Sequence, residues 1–292
     1  MGSGAQLGQL LRFVQQAQSR AVDVEQFYGL TSAQFAVLAA VVSKPGIDQR
    51  AISDVTFLAR TMLPAVVQRL AGRELITAVR NPRDARRDHL TPTDSAVALM
   101  YEVTPQVVAR NEGLLRTLGD DARGLFLDTL EAVGMAERAE LPAWHRIPSP
   151  DGVRPPLEVP WGLGRLVRAA MQRYGRLWGE SITSLTMLQW SALVAVAEGA
   201  EIDQRRLGEC LRLDKATASV MVSRLSRRGL LERGEDDGDR RRRILHLTRA
   251  GRDELVAVSA LVPAVDERFL APAPAEARGC FLEALRTLAA VG

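Results

Sequence analysis

The tetrapeptide Ile-Asp-Gln-Arg stands at Ile47–Arg50 and again at Ile202–Arg205, 155 positions apart (202 − 47). Sliding the chain over itself by that offset lays Leu30–Val41, LTSAQFAVLAAV, on Leu185–Val196, LTMLQWSALVAV. It also lays Val66–Leu75, VVQRLAGREL, on Met221–Leu230, MVSRLSRRGL. Between Leu30 and Arg87, 19 of 58 positions are identical without a gap, which excludes coincidence. The flanks repeat as well: LGQLLR at Leu7 with LGRLVR at Leu163, and ARGLFLDTLEAVG at Ala122 with ARGCFLEALRTLAAVG at Ala277. The chain of 292 residues is therefore one module of about 130 residues present twice. Whatever one copy folds into, the other must approach with related residues.

Between the copies, Leu141–Gly162 holds six prolines in 22 residues. Proline cannot continue a helix and donates no backbone hydrogen bond, so a semi-rigid linker with few sheet donors is predicted here. The domains read as copy one, 1–140, a proline-rich linker, 141–160, and copy two, 161–292. The longest apolar run, Phe35–Val42, is far short of the roughly 20 residues of a membrane span. The N-terminus lacks the basic start and apolar core of a signal peptide, and a cytoplasmic protein with no membrane partner is predicted. Cys210 and Cys280 align with Val55 and Leu125 and read as small core residues. His89, His145 and His246 have no metal-ligand spacing, so no metal or cofactor is expected. No Ser/His/Asp set, carboxylate pair or glycine-rich phosphate loop has useful spacing, which points away from an enzyme.

Copy two is the easier to read. Helical periodicity covers 161–178, 186–198 and 202–212. Next comes LDKATASVMVSRLSRRG, with Asp214 as N-cap and Gly229 at the left-handed C-cap; Val220, Val222 and Leu225 are its apolar residues. LLER and RILHLT then read as two strands around an acidic, glycine-containing turn, and two long helices, 249–269 and 275–291, close the copy. Three helices followed by a hairpin make a winged helix-turn-helix. The stretch from Ile202 to Arg252 resembles the central signature of the MarR family of transcriptional regulators, with GLLER, an Asp239-x-Arg241 pair and LT before a long helix. The resemblance covers nearly all of both copies. It implies a mainly α fold with small β wings, two winged helix-turn-helix modules joined as a single-chain pseudo-dimer, and a DNA-binding, ligand-responsive transcription regulator.

The charge agrees independently. Arg212–Arg243 carries ten basic and six acidic residues, and the aligned Phe57–Asp88 seven and three, each +4; the rest of the chain is −5 (3 − 8). A basic footprint repeated at matching places suits a phosphate backbone. In copy two, Lys215, Thr217, Ser219, Ser223 and Arg224 are candidates for groove and phosphate contacts, with Arg240, Arg241 and Arg242 on the wing. Arg241 is, by the resemblance, the minor-groove residue; a structural salt bridge to Asp239 is the alternative. Copy one keeps Arg60, Arg69, Arg73, Arg83, Arg86 and Arg87 but places Ala59, Met62, Pro64 and Glu74 where copy two has Asp214, Thr217, Ser219 and Gly229. Its recognition helix either starts two or three residues late or is kinked, and its wing reads as two residues shorter, from Asp84 to Leu90 against Asp239 to Leu247.

The family resemblance also implies a pocket for an apolar or aromatic effector. Met171, Tyr174, Trp178, Met187 and Trp190 line up for it in copy two, and Phe13, Gln16, Phe27, Tyr28 and Phe35 in copy one; ordinary core packing is the alternative. The competing function is a small-molecule-sequestering protein on the same scaffold that has lost productive DNA binding.

Overall fold

A computed structural model describes residues 7–22, 28–80, 88–137, 144–160, 162–199, 201–235 and 243–291. The chain is mainly helical and forms two compact units: unit 1, Met1–Phe13 with Arg173–Ala271, and unit 2, Val14–Gln172 with Pro272–Gly292. The boundaries cut through two helices, α1 (Leu7–Ala21) and α7 (Leu163–Ser181), so each unit takes in a segment from the other copy. Among the described residues no helix is long and apolar enough to cross a membrane.

Unit 2 holds copy one's winged helix: α2 (Ser32–Ser43), β1 (Ile47–Asp48), α3 (Gln49–Thr56), α4 (Leu63–Gly72), β2 (Ile76–Arg80), β3 (Asp88–Pro92) and α5 (Asp94–Leu115). It continues with α6 (Asp120–Met135), β4 (Trp144–Ile147) and β5 (Leu157–Pro160), and ends with α12 (Ala275–Ala290). Unit 1 holds copy two's counterpart: the rest of α7, α8 (Met187–Glu198), α9 (Gln204–Cys210), α10 (Lys215–Arg227), β6 (Leu231–Glu235), β7 (Arg243–Leu247) and α11 (Arg249–Leu270).

The first two residues of the repeated tetrapeptide have the same work in both copies. Ile47 and Ile202 are buried. Asp48 and Asp203 each cap the helix that follows, accepting from Ala51 N and Arg206 N at 2.7 Å. The helix before is started in both copies by a capping box, Thr31 with Gln34 and Thr186 with Gln189. Backbone torsions repeat too. Left-handed residues recur at the same offset: Gly46 and Glu201, Phe57 and Arg212, Glu74 and Gly229. Gly229 occupies that region without a Cβ, whereas Glu74 holds φ +56° at a cost of roughly 1 kcal/mol or more. Glu74→Gly is expected to raise stability by about 1 kcal/mol in urea titration; an unchanged or lower midpoint would show that local contacts offset the torsional strain.

The wings have equal length. Ile76 pairs with Pro92 and Leu231 with Leu247, the same separation in each, so copy one's wing is not two residues shorter. The misleading feature is Leu90-Thr91, which resembles the Leu247-Thr248 end of the copy-two strand. In the fold Thr93 is the counterpart of Thr248, each capping the next helix, and Pro92 takes the place of Leu247. Copy one's sheet gains β1, in the order β1-β3-β2; in copy two the matching contact is a single bridge, Asp203 to Ile244.

The proline-rich segment is also ordered differently from an extended strap. β4 and β5 pair antiparallel, Ile147 opposite Leu157. Ile147 is fully buried in the core of unit 2, and Tyr101 Oη donates to Pro155 O at 3.0 Å. Four of the six prolines, Pro148, Pro150, Pro155 and Pro156, fall in the connection, and Pro160 sits at a strand end, so the ladder keeps its donors. Asp151 closes the turn by accepting from Val153 N and Arg154 N, which holds its carboxyl well below the usual range together with a bond from Ser149.

Both cysteines are exposed, contrary to the core reading. Leu207 and Gly208 take the inward positions around Cys210, and Phe281 turns inward beside Cys280. Within unit 2, α6 and α12 pack together, with Phe126 and Phe281 stacked at 5.6 Å between ring centroids.

Candidate nucleic-acid interface

Helix α10 begins where the sequence demands. Asp214 accepts from Thr217 N at 2.8 Å and from Thr217 Oγ1 at 2.6 Å, bonds that hold its carboxyl below the ordinary value. Ala218, Met221, Val222 and Leu225 form one buried stripe, while Lys215, Thr217, Ser219, Ser223 and Arg224 are exposed. Val220, though apolar, does not join the core. It is 49% exposed, because it lies two residues from Ala218 and Val222, on the opposite face. The outward surface is thus polar and cationic with one apolar side chain, a mixture able to meet phosphates, base edges and a methyl group.

Copy one's helix α4 starts at Leu63, three residues later than its counterpart, with Pro64 in the first turn. There the missing N–H breaks no helical bond. Tight turns precede it, Met62 N to Ala59 O at 2.9 Å, and Met62 supplies no side-chain cap. Late start, not a kink, is how the chain accommodates the proline. The arginines here are partly engaged elsewhere: Arg60 pairs with Asp54 at 3.6 Å, and Arg73 donates to Tyr28 O and Gly29 O. Arg69 is exposed. Arg83, Arg86, Arg87, Arg240, Arg241 and Arg242, with Phe27, lie outside the described residues.

The aromatic set of copy two sits in the core of unit 1. Tyr174, Trp178 and Trp190 are 1%, 3% and 5% exposed. Trp178 and Trp190 lie 5.4 Å apart, Tyr174 and Trp178 6.4 Å. Every polar tip has a partner: Tyr174 Oη donates to Asp266 at 2.8 Å, Trp178 Nε1 to Leu185 O at 2.7 Å, and Trp190 Nε1 to Ser259 Oγ at 3.0 Å. Burial pushes both the Tyr174 hydroxyl and the Asp266 carboxyl up. Met187 closes the cluster; a Cβ placed on Gly8 would lie 2.1 Å from its sulfur. Phe13 lies under the guanidinium groups of Arg12 and Arg212, and Arg12 also donates to Leu211 O at the helix-turn-helix turn. Burial and the Arg212 charge lower Arg12 to about 10, so it stays cationic at neutral pH.

Of the copy-one set, Tyr28 bonds to Glu102 and Gln106 and Gln16 is half-buried; Met171, of the copy-two set, lies instead in unit 2, lining a shallow cleft beside Met62. Phe35 lines a narrow cavity of about 60 Å³ in unit 2, room for a few water molecules. Ala36, Ala39 and Val107 continue its apolar wall. Its polar wall is Gln18, Asn111, Arg165 and Arg168, none of which the sequence reading singled out. Gln18, Arg165 and Arg168 are 3%, 4% and 9% exposed. Gln18 Nε2 donates to Asn111 Oδ1 at 3.2 Å, and Gln18 Oε1 has no partner among the described residues. Arg168 Nε donates to Thr56 O at 2.8 Å, the same contact that Arg12 makes to Leu211 O in unit 1. Burial lowers Arg165 and Arg168 to about 10; the Glu131 carboxylate acts the other way on Arg165, and the Arg165 charge lowers Arg168 further. The sequence carries no signal for them; only the fold shows that Leu163–Ala170 is buried throughout around the arginines at 165 and 168.

Comparison with known proteins follows the duplication. The MarR family model matches residues 28–87 and again 183–242. The chain is 33% identical over 122 residues to the transcriptional regulator HosA of Escherichia coli O127:H6, covering 42% of this chain and 90% of that protein. It is 30% identical over 135 residues to the HTH-type transcriptional repressor NicR of Pseudomonas putida, covering 46% and 85%. Among solved structures, a probable transcriptional regulator from Pseudomonas aeruginosa shares 36% identity over 42% of this chain and 94% of its own, with a TM-score of 0.41.

Proposed function

Because the chain belongs to the MarR family and carries its module twice, we propose that it is a DNA-binding transcriptional regulator acting as an intramolecular pseudo-dimer with unequal halves. The reading rests above all on α10. A capped, regular helix turns Lys215, Thr217, Ser219, Ser223 and Arg224 outward beside a basic wing sequence. Such a helix enters the major groove, where hydroxyls and guanidinium groups meet base edges, and the exposed Val220 suits a thymine methyl. Thr217 must exchange its bond to Asp214 for any base contact. Arg241 and its neighbours add phosphate or minor-groove contacts. In copy one, the late helix, Met62 and Pro64 remove the readers, leaving Arg69, Arg83, Arg86 and Arg87 to position the backbone.

Pseudo-dimerisation is supported by one pair. Phe126 and Phe281 are the same position of the two copies (281 − 126 = 155) and stack on each other. A residue meets its own copy only near a two-fold axis. The chain is accordingly expected to run as a single species near its own mass of 31.9 kDa in light scattering. A stable doubled mass would show that the copies pair between chains.

The decisive experiment is a gel shift on the DNA upstream of its own gene, repeated with the triple variant Ala59→Asp, Met62→Thr, Pro64→Ser. The parent should prefer an operator with one well-defined and one degenerate half-site. The variant regains a cap and two polar readers. It should bind a symmetric version of the good half-site roughly tenfold or more tightly than the parent, at about 1–3 kcal/mol per base contact. Indifference of both proteins to sequence at physiological salt would favour the sequestering scaffold instead.

A further inference from the structure

The first helix of each copy touches the other copy's turn before the recognition helix, and does so through equivalent atoms. Arg12, on α1 of copy one, donates to Leu211 O of copy two; Arg168, on α7 of copy two, donates to Thr56 O of copy one at 2.8 Å. The carbonyls are 155 positions apart (211 − 56) and the arginines 156 (168 − 12). Beside each bond stand a second guanidinium and one phenylalanine ring, but their sources differ. In unit 1 the ring is Phe13 of α1, and Arg212 of the turn lies over it at 4.3 Å from the centroid. In unit 2 the ring is Phe57 of the turn, and Arg165 of α7 lies over it at 5.8 Å. Phe57 and Arg212 are the same position of the two copies (212 − 57 = 155), as are Phe13 and Ala169 (169 − 13 = 156) and Gln9 and Arg165 (165 − 9 = 156). Both rings therefore belong to copy one, and both second arginines to copy two. The carboxylate of Glu131, on copy one's α6, also acts on Arg165; its counterpart in copy two is Arg286 (286 − 131 = 155).

We propose that copy two's pairing surface accepts copy one and rejects a second copy two, so that the chain's two modules pair only with each other. Copy two facing another copy two would set Arg165 against Arg212 and Arg286, in place of Phe57 and Glu131. A ring face and a carboxylate attract a guanidinium, whereas two further guanidinium groups repel it. The repulsion is strong because Arg165 is 4% exposed and little screened by water and salt. A symmetric dimer of identical modules cannot divide rings and cations in this way, since both partners present the same surface. Duplication within one chain made the division possible. Selectivity then comes from the repelled pairing as much as from the favoured one. The result keeps two intact recognition helices from meeting across chains and leaves each molecule with a single α10. This pairing rule rests on the pseudo-dimer reading, and its test needs no DNA.

The test is thermal unfolding of the full chain with copy two's residues placed in copy one, Phe57→Arg together with Glu131→Arg. That variant gives Arg165 the surroundings of the rejected pairing. Arg212 and Phe57 share the left-handed torsion, φ +48° and +57°, so arginine fits the backbone at 57. The first transition is expected to fall by about 5–10 °C at low salt, to recover in part at high salt, and to return nearly to the parent's value when Arg165→Glu is added. Lost packing alone gives neither the salt dependence nor the rescue by charge reversal. Glu131 is exposed, so Glu131→Arg by itself carries the test should the double variant not fold. It should lower the transition by about 2–4 °C, again reversed by Arg165→Glu. An unchanged transition in Glu131→Arg, or a fall that Arg165→Glu does not reverse, would overturn the pairing rule alone. A parent of doubled mass in light scattering would overturn the pseudo-dimer, and the pairing rule with it.

Discussion

Phe281→Ala should destabilise unit 2 by about 3–5 kcal/mol, the range for truncating a fully buried phenylalanine. Phe281 is 0% exposed and Phe126 1%, and their stacked rings hold α12 on α6. The loss has three parts: the transfer of the ring, the cavity it leaves, and an aromatic pair term of about 0.5–1.5 kcal/mol. Leu130, Val133, Leu285 and Leu288 surround the site as fully buried neighbours on the same two helices and cannot all collapse into the gap. The expected sign in a thermal melt is a first transition lowered by about 10 °C. Phe126→Ala should do nearly the same, and the double variant should cost less than the sum, because the two rings are each other's partner. A fall below about 1 kcal/mol would mean that α6 and α12 do not depend on this pair, and would weaken the case for a fused two-fold interface.

The features legible in the sequence were those set by local chemistry. Asp214 is a cap whose partner lies three residues on, a local pattern that the sequence shows directly; Thr31, Asp48 and Asp203 cap in the same way. The duplication repeats Thr31 as Thr186 and Asp48 as Asp203, but not Asp214, which Ala59 replaces. What stayed hidden depended on partners far apart in sequence. Arg168 meets Thr56 across 112 positions, and Gln18 meets Asn111 across 93; no local pattern brings them together. Register was hidden for another reason. Leu-Thr occurs two residues early in copy one, and only pairing of Ile76 with Pro92 shows which threonine caps α5. In the proline-rich segment, proline number hides the hairpin and proline position reveals it: most of the prolines lie in the connection, so the ladder keeps its donors. Val220 shows that apolar character alone does not fix burial; angular position on the helix decides it.

Ser219→Pro should abolish specific DNA binding while leaving the fold of the rest of unit 1 in place. Ser219 is the fifth residue of α10, beyond the first turn, so proline there removes an intrahelical bond to Lys215 and crowds its carbonyl, a cost of about 3 kcal/mol. Copy one shows how the chain escapes that cost. With Pro64 at the aligned position, its helix begins three residues later and forgoes the cap. Copy two should follow the same route, retreating to a start near Ala218. Asp214 would then lose its bonds from Thr217, and Lys215 and Thr217 would leave the helical face that presents them. The buried stripe of Met221, Val222 and Leu225 lies beyond the new start, so the helix should stay docked. In binding, the loss should reach about 100-fold or more on the operator, since two base-reading positions worth about 1–3 kcal/mol each are withdrawn together. Non-specific affinity and its steep salt dependence should persist, because the wing arginines are untouched. Ser219→Ala separates the two causes: it deletes one hydroxyl but keeps the helix, and should cost only the single contact. An unchanged footprint for Ser219→Pro at physiological salt would mean that α10 does not read the operator, and the intact helix of copy two would need another explanation.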